Sequence, residues 1–420
     1  MVPSTKLKIK KIKIKGIIVM KNQLTNLKIE NKKVLLRADL NVPLENNVIT
    51  DDNRIKAILP TLQYLIEKKA KIIVLSHLGR IKEESQKAHF SLKSVADKLS
   101  FYLKQKVVFV PATKGRLVED AINKLIPGEV IMLENTRFED LDNKAESKNN
   151  PQLGQYWASL GDVFVNDAFG TCHRTHASNV GIANNIKEKC FGFLVEKEIN
   201  FIQKIISNPQ RPLIAILGGS KVSDKIELIK NMLKKVDFLL IGGGMSYTFL
   251  KTQGFEVGTS LLEADKIPLV KDLLSSPEAK KIILPKDFVC GKEFSPNTES
   301  AIYKCFNIPN NFMGMDIGPE TIQLFKHYLT KAKTIVWNGP VGVFEFEKFS
   351  HGTKSIAQII SSLLSSTTTI IGGGDSAAAV FKFGLEKHFS HISTGGGAFL
   401  EFLEGKPMPG LACIQDIKES

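Results

Sequence analysis

The chain has 420 residues, of which 43% are hydrophobic and 24% charged. This composition indicates a folded protein, and the length favours two domains of about 200 residues each, because a single core stops growing at about 250–300 residues. The net charge is +14, but six lysines lie in the first 19 residues, which contain no acid, and removing these six charges leaves +8. Since no segment interleaves aromatic with basic residues, we expect no nucleic-acid binding as a main role.

Neither a membrane span nor a secretory signal is visible in the sequence. No stretch approaches the roughly 20 consecutive apolar residues that a span requires, and no signal-peptide core precedes a cleavage site. The five cysteines are scattered without a C-x-x-C pair, which predicts reduced thiols. These observations predict a cytoplasmic protein that does not bind membranes.

Residues 1–19 form a basic N-terminal extension in which lysine alternates with isoleucine. Such a pattern is compatible with a β-ribbon, a targeting sequence or a surface-binding arm. The simpler interpretation is a disordered tail or a segment that is not native, with Met20 as the working start. It lacks the arginine that is typical of a transit peptide.

Short apolar runs alternate with helix-length amphipathic segments in the first half, a pattern that indicates a parallel sheet covered by helices. Strands are predicted at 33–39, 71–76, 107–110, 129–134 and 162–166. Helices are predicted at 52–69, 91–104, 114–125 and 152–160, and the polar stretch 139–150 is predicted as a surface loop. Such sheets bind ligands beyond the carboxyl ends of their strands.

Cations and polar groups follow the strands of the first half. In RADLNVP, Arg37, Asp39 and Asn41 have a period of two and therefore share one face. Arg54 lies near the start of the next helix, where the helix dipole opposes a cation. This position favours a ligand-binding role over an ordinary surface arginine.

Three further motifs, SHLGR, LENTRF and FGTCHRTH, add His77, Arg80, Arg137 and Arg174 after predicted strands. Planar guanidinium groups bind small oxyanions well. The alternative is a metal site at Cys172, His173 and His176, but no partner cluster with zinc-ligand spacing is visible. An oxyanion site is the better interpretation.

The segment 194–208 is predicted to be a single helix between the two halves, since Pro209 and Pro212 follow it. Beyond it, strands are predicted at 213–217, 238–241, 281–284, 334–337, 369–371 and 391–393. Helices are predicted at 223–235, 245–252, 320–331, 353–364 and 376–383, with no helix or strand after Gly405. The fold class is therefore α/β, with two doubly wound, Rossmann-like parallel-sheet domains joined by a hinge helix and separated by a cleft.

Strands of the second half run into glycine, in IAILGGSK, FLLIGGGM, TTIIGGGDS and HISTGGGA. Glycine lets a ligand approach backbone N–H groups, so these junctions suit phosphates. In GGSKVSDK, Lys221 and Lys225 are four apart, which predicts one helical face for both. Ordinary solvated lysines are the alternative interpretation.

Two further motifs carry candidate nucleotide contacts. Asp375 in GGGDS is a candidate magnesium-side carboxylate, although a plain helix cap is the alternative. In WNGPVGVFE, Asn338 and Pro340 shape a turn, and Glu345 is a candidate acceptor for ribose hydroxyls. No P-loop signature occurs.

A nicotinamide dehydrogenase is one alternative, because residues 372–377 match the loose pattern G-x-G-x-x-A. The required acid about 20 residues on is absent, which counts against it. A catalytically silent nucleotide-binding protein is a second alternative. It would not need the cations of the first half.

Taken in order, RADLNVP, SHLGR, LENTRF, NDAFGTCHRTH, IAILGGSKVSDK, IGGGM, WNGPVGVFE, IIGGGDS and STGGGA resemble the phosphoglycerate kinase family from Met20 to the C-terminus. The resemblance implies reversible, Mg²⁺-dependent phosphoryl transfer from 1,3-bisphosphoglycerate to ADP, giving 3-phosphoglycerate and ATP. It implies small-molecule substrates and a monomer. It also implies a phosphoglycerate-binding domain at 20–190, a hinge helix at 191–208 and a nucleotide-binding domain at 209–404, with the tail 405–420 packed back on the first domain.

Site residues follow from the same resemblance. The phosphoglycerate would be held by Arg37, Asp39, Asn41, Arg54, His77, Arg80, Arg137 and Arg174, with Arg37 supporting the basic patch. The nucleotide would be held by Gly219, Lys221, Lys225, Gly243, Gly244, Met315, Asn338, Pro340, Glu345, Gly373, Gly374, Asp375 and Ser376. Asp375 would serve Mg²⁺ together with the nucleotide phosphates, and the catalytic residues would be Arg54, Lys221 and Gly374.

Overall fold

The computed structural model describes residues 23–414, so the predictions for residues 1–19 and for the end of the tail lie outside the described residues. Strands of the first half are β1 (Lys33–Ala38), β2 (Leu44–Glu45), β3 (Val48–Ile49), β4 (Lys71–Leu75), β5 (Val107–Val110), β6 (Val130–Leu133), β7 (Val163–Asp167) and β8 (Glu188–Phe191). The helices are α1 (Asn53–Glu67), α2 (Lys93–Leu103), α3 (Arg116–Asn123), α4 (Pro151–Ser159), α5 (Ile182–Asn185) and α6 (Phe193–Ile206). A π-helical turn covers Ala177–Gly181.

The second half contributes two kinds of sheet. Its strands are β9 (Leu213–Leu217), β10 (Phe238–Ile241), β11 (Ile282–Ile283), β12 (Asp287–Gly291), β13 (Ser300–Lys304), β14 (Met313–Ile317), β15 (Thr334–Asn338), β16 (Thr368–Gly372) and β17 (His391–Ile392). Its helices are α7 (Ile226–Leu233), α8 (Met245–Thr252), α9 (Ile267–Leu274), α10 (Pro319–Leu329), α11 (His351–Ser361), α12 (Gly374–Lys382), α13 (Gly397–Leu403) and α14 (Pro409–Ala412).

Each half is built on a six-stranded parallel sheet. The strand orders are β5-β6-β4-β1-β7-β8 and β11-β10-β9-β15-β16-β17. In both, the first strand lies inside the sheet and later strands add on either side of it, which creates the switch point where doubly wound sheets bind ligands. The predicted α/β class with two parallel-sheet units is confirmed.

Alternating apolar residues cover both faces of each sheet. In β1, Leu35 packs on one side and Val34 and Leu36 on the other, and all three are fully buried. Parallel strands buried on both faces are expected to be continuously apolar. One apolar cluster continues through α6 into the second half, where it includes Leu217.

The structure differs from the sequence predictions at three places. The antiparallel sheet β13-β12-β14 was not predicted, and α14 lies in a segment where no helix was expected. Helix α7 begins at Ile226, so Lys221 and Lys225 precede it and do not share a helical face. The carboxylate of Glu263 accepts bonds from the N–H groups of residues 222 and 223 at 2.5 and 3.1 Å, which holds this stretch as a loop.

Helix α6 contacts both sheets. Near its start, Asp167 at the end of β7 accepts bonds from Val195 N–H (2.9 Å) and from Thr61 Oγ (2.5 Å) of α1. Three residues further along the helix, Glu198 bonds His391 of β17. Among residues 23–414 we find no helix with the length and apolarity needed to span a bilayer.

Candidate active site

Arg37 lies beneath the carboxyl end of the first sheet. In register it pairs with Leu75 of β4 and Asn166 of β7, and its side chain is fully buried. Nε donates to Ser178 Oγ at 2.8 Å, Nη1 donates to the Ala38 carbonyl, and Nη2 lies 3.2 Å from His77 Nδ1. Burial lowers the pKa of Arg37. The residue therefore supports the site from below.

Asp39 and Arg54 form an ion pair at the mouth of this sheet. Arg54 is the second residue of α1, and its Nη1 lies 2.5 Å from Asp39 Oδ2. Burial raises the pKa of Asp39, but the charges of Arg54 and Arg37 oppose this effect, and the net result is a lowered pKa. Asn41 joins two of the strand-end loops by accepting a bond from Gly79 N–H at 2.7 Å.

The remaining cations cluster at the same end. Arg137 donates to Asp140 at 2.9 Å, and Arg174 donates to His173 at 2.9 Å. Burial lowers the pKa of Arg174, and the positive charges of Arg137 and Arg80 lower it further, so Arg174 is repelled by both of these guanidinium groups. We call this surface the cationic wall; it comprises Asp39, Arg54, His77, Arg80, Arg137 and Arg174.

The metal alternative finds no support in the described residues. Residues 23–414 contain no group of three or more His, Cys, Asp or Glu side chains placed to hold a metal ion. Cys172 is buried and free, and burial lowers the pKa of His176 to about 2. These side chains pack behind the cationic wall.

Glycine-rich loops meet backbone to backbone at the second sheet. Gly219 and Gly243 have positive φ angles of 104° and 66°. Gly219 N–H donates to the Pro340 carbonyl at 2.9 Å, and a Cβ at Gly243 would lie 2.8 Å from Gly219 N. Only glycine fits this approach. We call Gly219, Gly243, Gly244, Gly373 and Gly374 the glycine wall.

Asn338 and Ser376 fix the start of α12. Asn338 Nδ2 donates to the Gly372 carbonyl at 2.7 Å, and Ser376 Oγ accepts the Gly339 N–H at 2.5 Å. Ser376 is fully buried, so its hydroxyl acts inside the fold. Asn338 Oδ1 is buried without a hydrogen-bond partner among the described residues.

The two lysines differ in their surroundings. Lys225 is half-buried, and its Nζ donates to the Gly218 carbonyl at 2.6 Å. Burial lowers its pKa to about 8, against the opposing charges of Asp375 and Asp224. Lys221 is exposed and bonds no other residue in the described range. Its ammonium group is therefore able to follow an anion.

Three other predicted residues lie around the glycine wall. Asp375 is exposed in the first turn of α12, and Glu345 is exposed in the loop after β15. Met315 is 3% exposed within β14. Two aromatic rings missed by the sequence analysis, Phe294 and Phe346, pack at 5.1 Å next to Glu345.

One cavity brings residues of the two walls together. A space of about 560 Å³ is lined by Arg54 of α1 and by Gly373 and Gly374 at the start of α12. Residues of α6 and Thr394 also line it. The other residues of the cationic wall, together with Lys221 and Asp375, do not contact this space.

The sequence analysis also missed the link between α6 and the HISTGGG segment. Glu198 is fully buried and accepts bonds from Thr394 N–H (2.7 Å) and Thr394 Oγ (3.0 Å) while bonding His391 Nε2 at 2.7 Å. Phe201 stacks on His391 with ring centroids 4.5 Å apart. The sequence signal was present, since Glu198 lies on the same face of α6 as the apolar residues Val195 and Ile202.

Comparison with known proteins gives one consistent result. A family model described as phosphoglycerate kinase matches residues 24–406. A phosphoglycerate kinase of Onion yellows phytoplasma is 72% identical over 398 residues, covering 95% of this chain and 100% of the relative. One from Fusobacterium nucleatum is 57% identical, covering 94% and 100%.

Solved structures agree with the sequence comparisons. The phosphoglycerate kinase of Coxiella burnetii superposes with a TM-score of 0.82 at 42% identity, covering 93% of this chain and 98% of that one. That of Pyrococcus horikoshii OT3 gives 0.81 at 32% identity, covering 94% and 98%. The chain belongs to the phosphoglycerate kinase family.

Proposed function

We propose that the cationic wall binds the phosphoglycerate and the glycine wall binds the nucleotide in the reaction of this family. The enzyme transfers a phosphoryl group reversibly between 1,3-bisphosphoglycerate and ADP, a step of glycolysis and gluconeogenesis. The observation that carries the site assignment is the cavity that Arg54 lines together with Gly373 and Gly374. A phosphoglycerate bound to the cationic wall and a nucleotide bound to the glycine wall would come together at this cavity.

The substrate side follows from charge. Arg137 and Arg80 repel Arg174, and a multiply charged oxyanion would relieve that repulsion. Asp39 orients Arg54, and Asn41 orients the loop at Gly79. Arg37 would support these residues from its buried position behind them. The acyl phosphate end of the substrate would then extend toward Arg54.

The nucleotide side is assigned from backbone donors and nearby side chains. Gly373 and Gly374 begin α12, whose N–H groups and dipole favour phosphate oxygens. Lys221, Lys225 and the loops at Gly219, Gly243 and Gly244 would flank the phosphates, with Asn338 and Pro340 shaping the floor. Met315 and Glu345 would contact the nucleoside.

Magnesium fits this arrangement. Mg²⁺ is usually held by one or two carboxylates plus substrate phosphates, and Asp375 is an exposed carboxylate beside the helix start. The lack of a larger acidic cluster among residues 23–414 agrees with a metal that arrives on the nucleotide. When bound, the ion would neutralise phosphate charge.

The residues of this chain would act by position and charge. Phosphoryl transfer needs little covalent help from the protein, so orientation and electrostatic stabilisation provide the rate enhancement. Arg54 and Lys221 would contact the equatorial oxygens of the phosphoryl group during transfer. The Gly374 N–H would bind oxygens of the nucleotide phosphates. No covalent enzyme nucleophile is involved.

The remaining assignments concern the whole molecule. We propose a phosphoglycerate domain at 20–190, a hinge helix at 191–208 and a nucleotide domain at 209–404, acting as a cytoplasmic monomer. Two hydrogen bonds to the first half support the tail assignment. Gly410 N–H donates to the Cys172 carbonyl, and Asn166 Nδ2 donates to the Gly410 carbonyl. The links from α6 to both sheets support its role as the hinge.

Closure of the two halves is expected on ternary binding, since it would bring the walls together and exclude water. Small-angle scattering checks this with the unreactive pair 3-phosphoglycerate and Mg-ADP. The radius of gyration should fall when both ligands are present and change less with either alone. An unchanged value in the ternary mixture would reject closure, and a coupled assay separately tests the activity.

Asp375→Asn is expected to weaken Mg-ADP binding by about tenfold, because an amide is a poorer magnesium ligand than a carboxylate. Binding of ADP in excess chelator should stay the same or tighten, since one negative charge near the phosphates is removed. Calorimetry with and without Mg²⁺ measures both. Equal losses under the two conditions would contradict a metal-side role.

A further inference from the structure

A buried chain of hydrogen bonds runs beneath the cationic wall. Glu146 is fully buried, and its carboxylate accepts bonds from Ser178 N–H at 2.9 Å and from Ser178 Oγ at 2.5 Å. A serine hydroxyl has one proton, so Ser178 Oγ is left to accept the Arg37 Nε–H at 2.8 Å. Arg37 also donates to the Ala38 carbonyl. Its guanidinium orientation is thereby fixed.

The far end of this guanidinium meets His77. Arg37 Nη2 lies 3.2 Å from His77 Nδ1. Arginine stays protonated and only donates, so Nδ1 has to be the acceptor and the imidazole proton lies on Nε2. No described protein group bonds Nε2, which leaves it available to a ligand.

The charges around His77 also favour the neutral imidazole. The pKa of His77 is lowered to about 3, mainly by burial; the cations Arg37, Arg137 and Arg54 contribute to this lowering, and the charge of Asp39 opposes it. The chain that fixes Arg37 therefore also disfavours a positive imidazole. The position of Nδ1 alone, however, already requires the tautomer.

We propose that Arg37 is a positioning residue that holds His77 as the neutral imidazole protonated on Nε2. His77 then offers the acid substrate a hydrogen-bond donor, and the positive charge of the cationic wall comes from guanidinium groups alone. The donor role rests on the proposed assignment of His77 to the phosphoglycerate side. Substrate affinity consequently does not follow the titration of a free imidazole near pH 6.5.

The tautomer is measured directly in the full-length enzyme. Nitrogen-15 labelling of the histidines, with His77→Gln to assign the His77 signals, should show a neutral ring with its proton on Nε2 from pH 5 to 8.5. Adding 3-phosphoglycerate should shift the Nε2 signal. A ring that titrates near pH 6.5, or that is protonated on Nδ1, overturns the proposal, and an Nε2 signal that ignores the substrate overturns the donor role.

Substitution of Arg37 gives a kinetic test. In Arg37→Met the His77 pKa should rise toward 6.5, and the ratio of its KM for 3-phosphoglycerate to that of the wild type should fall as the pH is lowered from 8 to 6. Taking the ratio cancels titration of the substrate itself. Arg116→Met, at an exposed arginine, should give a flat ratio, as a merely structural defect would.

Two further variants keep the test decisive. Ser178→Ala breaks the chain one bond further away and should move the His77 pKa in the same direction by less. His77→Gln retains an N–H donor near the Nε2 position, so it should bind 3-phosphoglycerate more tightly than His77→Ala. An equal loss of 3-phosphoglycerate affinity in both His77 variants would overturn the donor role. A wild-type enzyme without any 3-phosphoglycerate-dependent turnover would instead reject the proposed activity.

Discussion

Replacement of Arg54 by alanine is expected to lower kcat by about three orders of magnitude, as loss of a transition-state arginine does. Arg54 lines the cavity shared with Gly373 and Gly374, and Asp39 fixes its guanidinium at 2.5 Å. A cation in the first turn of a helix is opposed by the dipole, so its position indicates a role in binding or transfer. The KM for Mg-ATP should change by less than about threefold, because the nucleotide would bind on the other wall.

Two variants make this result interpretable. Arg116→Ala removes an arginine that is 93% exposed and 3.6 Å from Asp120, and it should leave kcat unchanged. Arg54→Lys keeps the charge but not the planar fork, so it should fall between the wild type and the alanine variant. Steady-state kinetics in both substrates measures all three. Near-normal turnover in Arg54→Ala would remove Arg54 from the transfer step.

The two parallel sheets could be predicted because their signals are local. The apolar run 34–36 of β1 leads into Arg37, the apolar strand β9 is followed by glycine, and prolines follow the end of α6. Position in a doubly wound sheet then follows from general rules. The residues at the strand ends could therefore be assigned to two facing walls before any coordinates were known.

What the sequence could not show depends on contacts distant along the chain. Glu146 lies in a polar stretch predicted to be a surface loop, yet it is fully buried against Ser178. Lys221 lies in a loop, and the N–H groups of the two residues that follow Lys221 bond to Glu263, about 40 residues away. Hydrogen bonds between residues so far apart in the chain leave no periodic pattern in the sequence. The burial of Arg37 likewise leaves no such pattern.

Gly374→Val is expected to lower kcat/KM for Mg-ATP by about two orders of magnitude, because a side chain there would occupy the space assigned to nucleotide phosphates. A Cβ at Gly374 meets no atom within 4 Å, and the residue is exposed on the cavity that Arg54 also lines. The φ angle of Gly374 is not positive, so valine fits the backbone. The midpoint of thermal unfolding should therefore stay within a few degrees of the wild-type value.

Gly373→Ala separates this steric block from damage to the fold. Gly373 has φ of 95°, and a Cβ there would lie 2.6 Å from Asn338 Nδ2. Alanine at 373 should therefore lower both the unfolding midpoint and the activity, whereas valine at 374 lowers activity alone. Thermal unfolding and Mg-ATP kinetics on the same preparations distinguish the two. Full activity in Gly374→Val would mean that the phosphates do not approach α12 at its first residue.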